Sequence, residues 1–288
     1  MRTDEGNISS WLKDEIVSFV QSSPENSLRA KRGEKAWETP LVGFSCGTDP
    51  LYQTIKKQIG GFYWTPINIF YHTFPDLPVE FDKVNVVCWI LPQTHRTIKQ
   101  NRKQDRYASE SWVRSRLYGE RFNHLLRQQV VNVLTCAGYQ AIAPAGPDLE
   151  KWWKHPVHGY VSRWSERHVA FVSGLGTFGL SDGLITPLGM AVRIGSVVTN
   201  APLQATPRPY TDIHQYCRFY NNSHKCEKCM RRCPAGAITR DGHDKIKCRE
   251  YIRQVAPEFE KKYQLDQRAC GLCQTKVPCE SRIPRIRD

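Results

Sequence analysis

The chain has 288 residues, of which 40% are hydrophobic and 24% charged, and its formal net charge is +13. This length allows one sizeable domain and a smaller one, and no apolar run reaches the roughly 18 residues of a membrane span. The amino terminus is charged and interrupted by polar residues, which excludes a secretory signal. We therefore expect a cytoplasmic protein with no membrane segment.

Apolar periodicity and turn residues predict alternating helices and strands in the first two thirds of the chain. In chain order they are a helix at Ile8–Val20, a strand at Pro40–Phe44, a helix at Pro50–Ile59, a strand at Val84–Leu91, a long helix at Ser111–Ala137, a strand at Tyr139–Ala143 and a helix at Ser165–Ser173. This alternation indicates an α/β layer around one sheet.

Three further predictions concern local structure and domain limits. Gly183–Thr186 and Met190–Thr199 are predicted to be two strands that pair through the turn at Pro187–Gly189. The basic stretch from Arg96 to Arg106 is predicted to be a solvated loop. The segment 200–209 carries three prolines and is predicted to be a linker. The predicted domains are therefore 1–209 and 210–288.

Eight cysteines are concentrated in the last quarter of the chain. The tightest group is Cys226, Cys229 and Cys233, with Pro234 directly after it. This spacing is typical of ferredoxins, in which short gaps aim several thiolates at one [4Fe–4S] cluster and a distant cysteine completes the set. In two-cluster ferredoxins the last cysteine of such a run binds the other cluster. By the same order we predict two clusters here, one held by Cys217, Cys226, Cys229 and Cys279 and the other by Cys233, Cys248, Cys270 and Cys273.

Two other uses of these cysteines are weighed against clusters. Paired CxxC motifs also suit structural zinc with four cysteine ligands, but the proline after Cys233 and the interleaved ligand order favour clusters. Disulfides are disfavoured because the chain carries no secretory signal. Of the remaining cysteines, Cys88 and Cys136 are predicted to lie in the core, and Cys46 is left undecided.

Gly174, Gly176 and Gly179 form a GxGxxG string. A dinucleotide fingerprint follows a strand and opens a helix, whereas a predicted helix precedes this string and strands follow it. Two interpretations stay open. The glycines let the main chain approach a large flat ligand, or they cap the helix and form a tight turn.

The run from Ser165 to Leu203, SERHVAFVSGLGTFGLSDGLITPLGMAVRIGSVVTNAPL, is followed by the two cysteine groups. In this order the sequence resembles the cobalamin-dependent iron–sulfur reductases, which comprise epoxyqueuosine reductase and the reductive dehalogenases. The resemblance extends from Val84 to the end of the chain. It implies an oxidoreductase with a nitroreductase-like α/β domain that binds cobalamin and a C-terminal ferredoxin-like domain with two [4Fe–4S] clusters.

The resemblance also implies site residues and partners. An external low-potential donor of the ferredoxin or flavodoxin kind would supply electrons, and the substrate is either a small molecule or a modified tRNA. Arg163 and Arg167 are candidates for binding a substrate carboxylate or phosphate. The corrinoid would be held by Gly174, Gly176, Gly179, Ser181, Leu184, Ile185, Thr186, Gly189 and Arg193.

The sequence departs from the epoxyqueuosine reductases at the proton donor. They place an acidic residue six positions before the acidic member of a pair that matches Glu166 and Arg167, and here that position is Tyr160. Reductive dehalogenases use a tyrosine, so Tyr160 is the first candidate and His158 the second, with His155 beside them. For each of them, an ordinary packing or surface role stays open.

The chain also lacks the C-terminal helical-repeat extension of many epoxyqueuosine reductases and the twin-arginine signal of respiratory dehalogenases. Epoxyqueuosine in tRNA is therefore not the expected best substrate. Two other functions stay open. The protein could be an electron carrier or corrinoid-activating reductase without its own organic cofactor, or its first domain could bind FMN, as nitroreductase-like folds can.

Overall fold

This computed structural model describes residues 5–31, 33–78, 80–145, 152–221 and 225–285. The helices are α1 (Glu5–Ser22), α2 (Pro50–Ile59), α3 (Pro66–Thr73), α4 (His95–Arg102), α5 (Glu110–Arg114), α6 (Glu120–Cys136), α7 (Glu166–Val172), α8 (Arg218–Asn221), α9 (Lys228–Arg232) and α10 (Lys245–Tyr263). The strands are β1 (Leu41–Cys46), β2 (Asn85–Pro92), β3 (Ala141–Ile142), β4 (Trp152–His155), β5 (Gly159–Ser162), β6 (Thr177–Phe178), β7 (Leu184–Ile185), β8 (Val192–Thr199), β9 (Ile238–Thr239) and β10 (Gly242–His243).

A four-stranded antiparallel sheet with the order β1-β2-β8-β3 forms the centre of the fold. All eight residues of β2 are buried, because helices cover both faces of the sheet. Successive side chains of a strand point to opposite faces, so Val86, Cys88 and Ile90 join one apolar core while Val87, Trp89 and Leu91 join the other. Helices α2, α3 and α7 line the first core, and α1 and α6 line the second.

Most predicted elements are confirmed. The clearest is α2, which occupies the predicted range because Pro50 presets the first turn and the Asp49 side chain accepts a hydrogen bond from the Leu51 N–H. The helix at Ile8–Val20 is α1, and the strand at Val84–Leu91 is β2. The long helix predicted at Ser111–Ala137 is α5 and α6 joined through a π-helical turn at Ser115–Gly119.

Three predictions are wrong. The strands Gly183–Thr186 and Met190–Thr199 do not pair along their length: β8 pairs with β2 and β3, and β7 pairs with β6. The physical reason is that the apolar β8 is buried at the centre of the sheet, between two partners. A single bridge between Thr186 and Gly189 remains at the turn.

The stretch predicted to be a solvated loop contains α4. Thr94 caps this helix by accepting from the Thr97 N–H, and Ile98 is buried while the basic side chains face outward. Cys136, predicted to lie in the core, is exposed. The buried face of α6 contains Leu126, Val130 and Leu134, and Cys136 does not lie on that face. Cys88 is buried as predicted.

The C-terminal part of the chain packs on the sheet domain through two apolar clusters. In the first, Val255 and Phe259 of α10 meet Trp112 and Val113 of α5. The second contains Met190 together with cysteines of the last quarter. None of the helices in the described ranges is long and apolar enough to cross a membrane.

Candidate metal centre and adjoining cleft

Four thiols surround one cavity between the sheet domain and the C-terminal part. The residues that line it include Cys217, Cys226, Cys229 and Cys279. Burial, followed by repulsion from Cys217 and Cys226, raises the pKa of the Cys229 thiol to about 12. Burial and repulsion from the other three thiols likewise raise the pKa of Cys279. These four side chains therefore lie within electrostatic range of one another.

The remaining four thiols form a second group. Cys233 follows α9, Cys248 lies on α10, and Cys270 and Cys273 belong to the loop before the carboxyl terminus. Burial is the largest cause that raises the pKa of Cys270 to about 11, and Cys248 and Cys233 add to it. Burial first, and then Cys270 and Cys248, raise the pKa of Cys273 as well. Cys229, which belongs to the first group, also raises the pKa of Cys273, so the two groups adjoin.

The backbone around Cys279 packs against the segment that precedes β8, through two hydrogen bonds. The Met190 N–H donates to the Cys279 carbonyl at 2.8 Å, and the Ala191 N–H donates to the Glu280 carbonyl at 3.1 Å. Gly189 permits this approach, because a Cβ at that position would lie 2.3 Å from the Cα of Ser281. The Sγ of Cys279 then lies 3.2 Å from the Sδ of Met190.

Charged side chains lie beside these thiols, and the surface that Arg167, Arg193 and Asp182 form is called the cleft below. Arg167 is exposed to solvent, yet burial, together with repulsion from Arg193, lowers its pKa against the opposing effect of Asp182. Cys273 also acts on the Arg167 guanidinium, which places the cleft beside the second thiol group.

A network of partly buried ion pairs lies next to Arg193. Glu120 pairs with Arg116, Arg127 and Arg193, whose combined attraction outweighs burial and lowers the pKa of Glu120 to about 2. Arg127, with only 4% of its side chain exposed, also pairs with Glu166.

Glu166 accepts a second hydrogen bond from Ser196. The Ser196 Oγ lies 2.5 Å from Glu166 Oε2, and the Trp164 Nε1 donates to the same hydroxyl at 3.1 Å. Burial raises the pKa of Glu166, and attraction to Arg127 and these hydrogen bonds oppose the rise. The carboxylate is therefore held firmly at the amino end of α7.

A histidine links the cleft to the second thiol group. His243 Nδ1 lies 3.2 Å from Asp182 Oδ2, and the ring also lies within electrostatic range of Cys248. Burial lowers the pKa of His243, but Asp182 and Cys248 outweigh it and raise the pKa to about 9. Asp182 in turn accepts a hydrogen bond from Arg167 Nη1 at its carbonyl oxygen, at 2.5 Å.

The glycine string has a structural role of its own. The N–H groups of Gly174 and Leu175 donate to the carbonyls of Phe171 and Ala170, which is the Schellman pattern that ends a helix, and Gly174 has a φ of +79°. A Cβ on Gly176 would lie 2.4 Å from the Ile185 carbonyl oxygen. The capping interpretation is therefore confirmed, and a helix precedes the string as expected.

The residues expected to hold a corrinoid lie mostly inside the protein. All but Gly174 and Arg193 are buried. Gly179, Ser181 and Ile185 line the cavity of the first thiol group, while Gly174, Gly176 and Gly189 turn their Cβ sides to protein backbone. Arg193 lies in the cleft, with 35% of its side chain exposed. As a group these residues do not form an open bed for a planar ligand.

The candidate proton donors lie on the hairpin of β4 and β5. The Tyr160 ring lies under the Arg249 guanidinium of α10, 3.7 Å from its centroid. His158 stacks on His155 with 4.9 Å between ring centroids. Arg163, by contrast, lies over Trp64 at 4.7 Å. The hairpin therefore faces α10, and the structure brings Tyr160 and His158 onto one element.

Sequence reasoning named Arg167 and Arg193 but missed the charged residues that pair near them. Glu120 and Arg127 lie seven positions apart on an amphipathic helix, and a charge at an apolar face is the signal that could have marked them. Asp182 and His243 carry no such signal. Their pairing depends on a contact between residues 61 positions apart.

No family model matches the chain. Among curated proteins, the chain is 24% identical over 194 residues to the tetrachloroethene reductive dehalogenases of Dehalobacter restrictus and Desulfitobacterium hafniense. This match covers 66% of the chain but only 30% of those proteins. The catabolic reductive dehalogenase NpRdhA in complex with 3-bromo-4-hydroxybenzoic acid superimposes with a TM-score of 0.50 at 15% identity, over 96% of this chain and 37% of that one.

The fold is that of the reductive dehalogenases. A solved epoxyqueuosine reductase is also similar, with a TM-score of 0.48 at 16% identity, over 96% of this chain and 70% of that one. The resemblance inferred from the run at Ser165–Leu203 is thereby confirmed at the level of the fold. The chain spans less than a third of the length of the curated dehalogenases that it matches.

The thiol groups of this reductive dehalogenase fold suit iron–sulfur clusters. All eleven cysteines are free thiols, and crowded buried thiolates repel one another unless cations bind them. Each thiolate of a [4Fe–4S] cluster binds a different iron, so such a cluster spaces its ligands more widely than one ion does. Among the described residues, no three side chains are arranged to hold a single metal ion.

Proposed function

We propose that this chain is an iron–sulfur oxidoreductase of the reductive dehalogenase type with two [4Fe–4S] clusters. The observation that carries the proposal is the division of these eight thiols into two groups of four. One group surrounds the cavity, and the other meets on the loop and helices around Cys273. The division agrees with the interleaved ligand order that the spacing predicts, which a chance collection of cysteines would not reproduce.

Electrons would pass singly through the adjoining clusters to the cleft beside Cys273 and Arg167. Cobalamin is proposed as the acceptor from the resemblance, and it would supply a strongly reducing cobalt centre. We place it in the cleft rather than on the glycine run, whose Cβ sides meet protein. An external low-potential donor would feed the clusters, and the substrate is a small molecule or a modified tRNA.

The residues of the cleft have roles that do not depend on the cofactor. Arg167 and Arg193 give it positive charge, while Glu120 and Glu166 fix the guanidinium groups of Arg193 and Arg127. Tyr160 remains the first proposed proton donor and His158 the second. The proposed domain boundary lies between residues 209 and 210.

The cluster proposal is tested by anaerobic metal analysis of the purified chain. We expect about eight iron atoms and eight sulfides per chain, and about four of each in Cys279→Ala and in Cys273→Ala. Cys136→Ala is the matched control, because that thiol is exposed at the end of α6 and should leave the iron content unchanged. About two zinc atoms per chain with hardly any iron would contradict the proposal.

A second candidate function is an electron-transfer protein or a corrinoid-activating reductase without its own organic cofactor. The closed packing of Gly174, Gly176 and Gly189 favours it. Hydroxocobalamin or FMN is added to the reduced protein, and the visible spectrum is recorded after desalting. Retained corrinoid supports the reductase, retained flavin supports an FMN enzyme, and brown protein with neither supports the carrier.

A further inference from the structure

Exposed basic side chains surround the cavity of the first thiol group. Lys228 lines the cavity and is exposed, so one side of the cavity lies near the protein surface. Four further exposed cations, each one or two positions from another residue that lines the cavity, complete this group. The five residues, called the basic rim below, are Lys225, Lys228, Lys276, Arg282 and Arg285.

Few carboxylates offset the charge of the basic rim. The two stretches that carry it, 225–232 and 276–285, contain seven lysines and arginines but only two acidic residues, Glu227 and Glu280. Glu227 pairs with two arginines, and Glu280 pairs with a third. Because arginines outside the basic rim already pair with both carboxylates, the surface around the cavity stays positive.

The two thiol groups differ in what lies next to them. Cys273 of the second group acts on the Arg167 guanidinium, so this group lies beside the cleft. The first group lies beside the basic rim, and its Cys226, Cys229 and Cys279 thiols keep part of their surface exposed. Electron transfer slows steeply with distance, so a donor docks near the cluster that it reduces. Because the second group faces the cleft, the first group is the side at which electrons enter.

We propose that the basic rim is the docking surface of a small acidic electron-transfer protein, of the flavodoxin or ferredoxin class, which reduces the first cluster. The inference rests on the proposed function, because it requires a cluster at Cys217, Cys226, Cys229 and Cys279. One electron leaves the partner's reduced flavin or cluster and the first cluster gains it, with no bond formed or broken. Exposed cations around a docking site act mainly on the rate of encounter, because they steer a partner of opposite charge.

The test is the rate at which reduced flavodoxin, an acidic protein, reduces the full chain. The reaction is followed anaerobically by stopped flow through the visible absorbance of the clusters. Lys225→Glu combined with Arg282→Glu should lower the second-order rate about tenfold at low salt, and the remaining rate should depend less on salt than in the wild type.

The matched control combines Lys13→Glu on α1 with Lys57→Glu on α2. Both lysines are exposed on helices of the sheet domain, and the control changes the net charge by the same amount. Its rate should therefore fall far less than that of the rim variant. Photoreduction by deazaflavin, a small dye that needs no docking surface, should proceed equally in all three proteins.

The outcomes separate the inference from the proposed function. Equal flavodoxin rates in the wild type and the rim variant, or an equal loss in the control, would overturn the inference. Unchanged flavodoxin reduction with lost binding of an RNA stem–loop would assign the rim to nucleic acid instead. If the rim variant loses iron, Lys225→Gln with Arg282→Gln decides, and an unchanged rate there counts against the inference. Wild-type protein without iron would overturn the proposed function itself.

Discussion

Gly189 is the residue at which a single methyl group should weaken the contact between the first thiol group and the sheet domain. Its φ is +84°, and a Cβ there would lie 2.3 Å from both the Cα and the N of Ser281. Left-handed strain in alanine costs about 1–2 kcal/mol, and overpacking costs about 1–3 kcal/mol more. We therefore expect Gly189→Ala to lower the free energy of unfolding by roughly 2–5 kcal/mol.

The same substitution should also lower the iron content. The Ser281 backbone must retreat by about 1 Å to restore ordinary contact, and it would carry Cys279 and its hydrogen bond to Met190 with it. The assay is anaerobic urea unfolding followed by tryptophan fluorescence, with iron measured on the same samples.

Gly138→Ala is the matched control for Gly189→Ala. Gly138 also has a positive φ, +90°, but nothing lies within 4 Å of its Cβ position. It should therefore show the strain alone, about 1–2 kcal/mol, with full iron content. Equal destabilisation and equal iron in the two variants would refute the claim that the C-terminal segment packs against Gly189.

Two further predictions concern the buried charges of the cleft. The folded pKa of Glu120, about 2, lies below its ordinary value of 4.5. This carboxylate should therefore contribute about 3 kcal/mol to the free energy of unfolding above pH 4.5, and the contribution should be lost as the pH falls through 2. Glu120→Gln should flatten the acid limb of the thermal unfolding profile, and an unchanged limb would contradict the ion pairing. Arg127→Met should cost about 3–5 kcal/mol at pH 7, because it leaves Glu166 buried without its cation. Adding Glu166→Gln to Arg127→Met should restore part of the urea midpoint, and no restoration would place the cost elsewhere.

Local sequence signals predicted the elements whose determinants are neighbours in the chain. Pro50 and Asp49 fix the start of α2, and the apolar run of β2 marks a strand buried on both faces. The basic helix α4 escaped prediction, because its core contact depends mainly on Ile98 while most of its side chains are charged or polar. Periodicity is weak when so few positions of a helix are apolar.

Spacing also predicted which cysteines lie near one another, since loops of two or three residues can aim thiolates at one point. It did not predict the cleft. Its acid–base pairs join residues on α6, α7, β8 and the turn at Asp182, and no short-range pattern records such contacts. The predicted pairing of the strands around Pro187–Gly189 was wrong for the same reason, because β8 pairs instead with β2 and β3, which are distant from it along the chain.

The sequence by itself therefore determined the cysteine array, the main helices and the run that resembles the cobalamin-dependent reductases. Only the tertiary structure decided that Gly189 meets Ser281, that Arg167 lies near Arg193 and Asp182, and that His243 pairs with Asp182. The physical reason is distance along the chain. Backbone propensities act over a few residues, whereas burial and charge pairing act between whichever side chains the packed layers bring together.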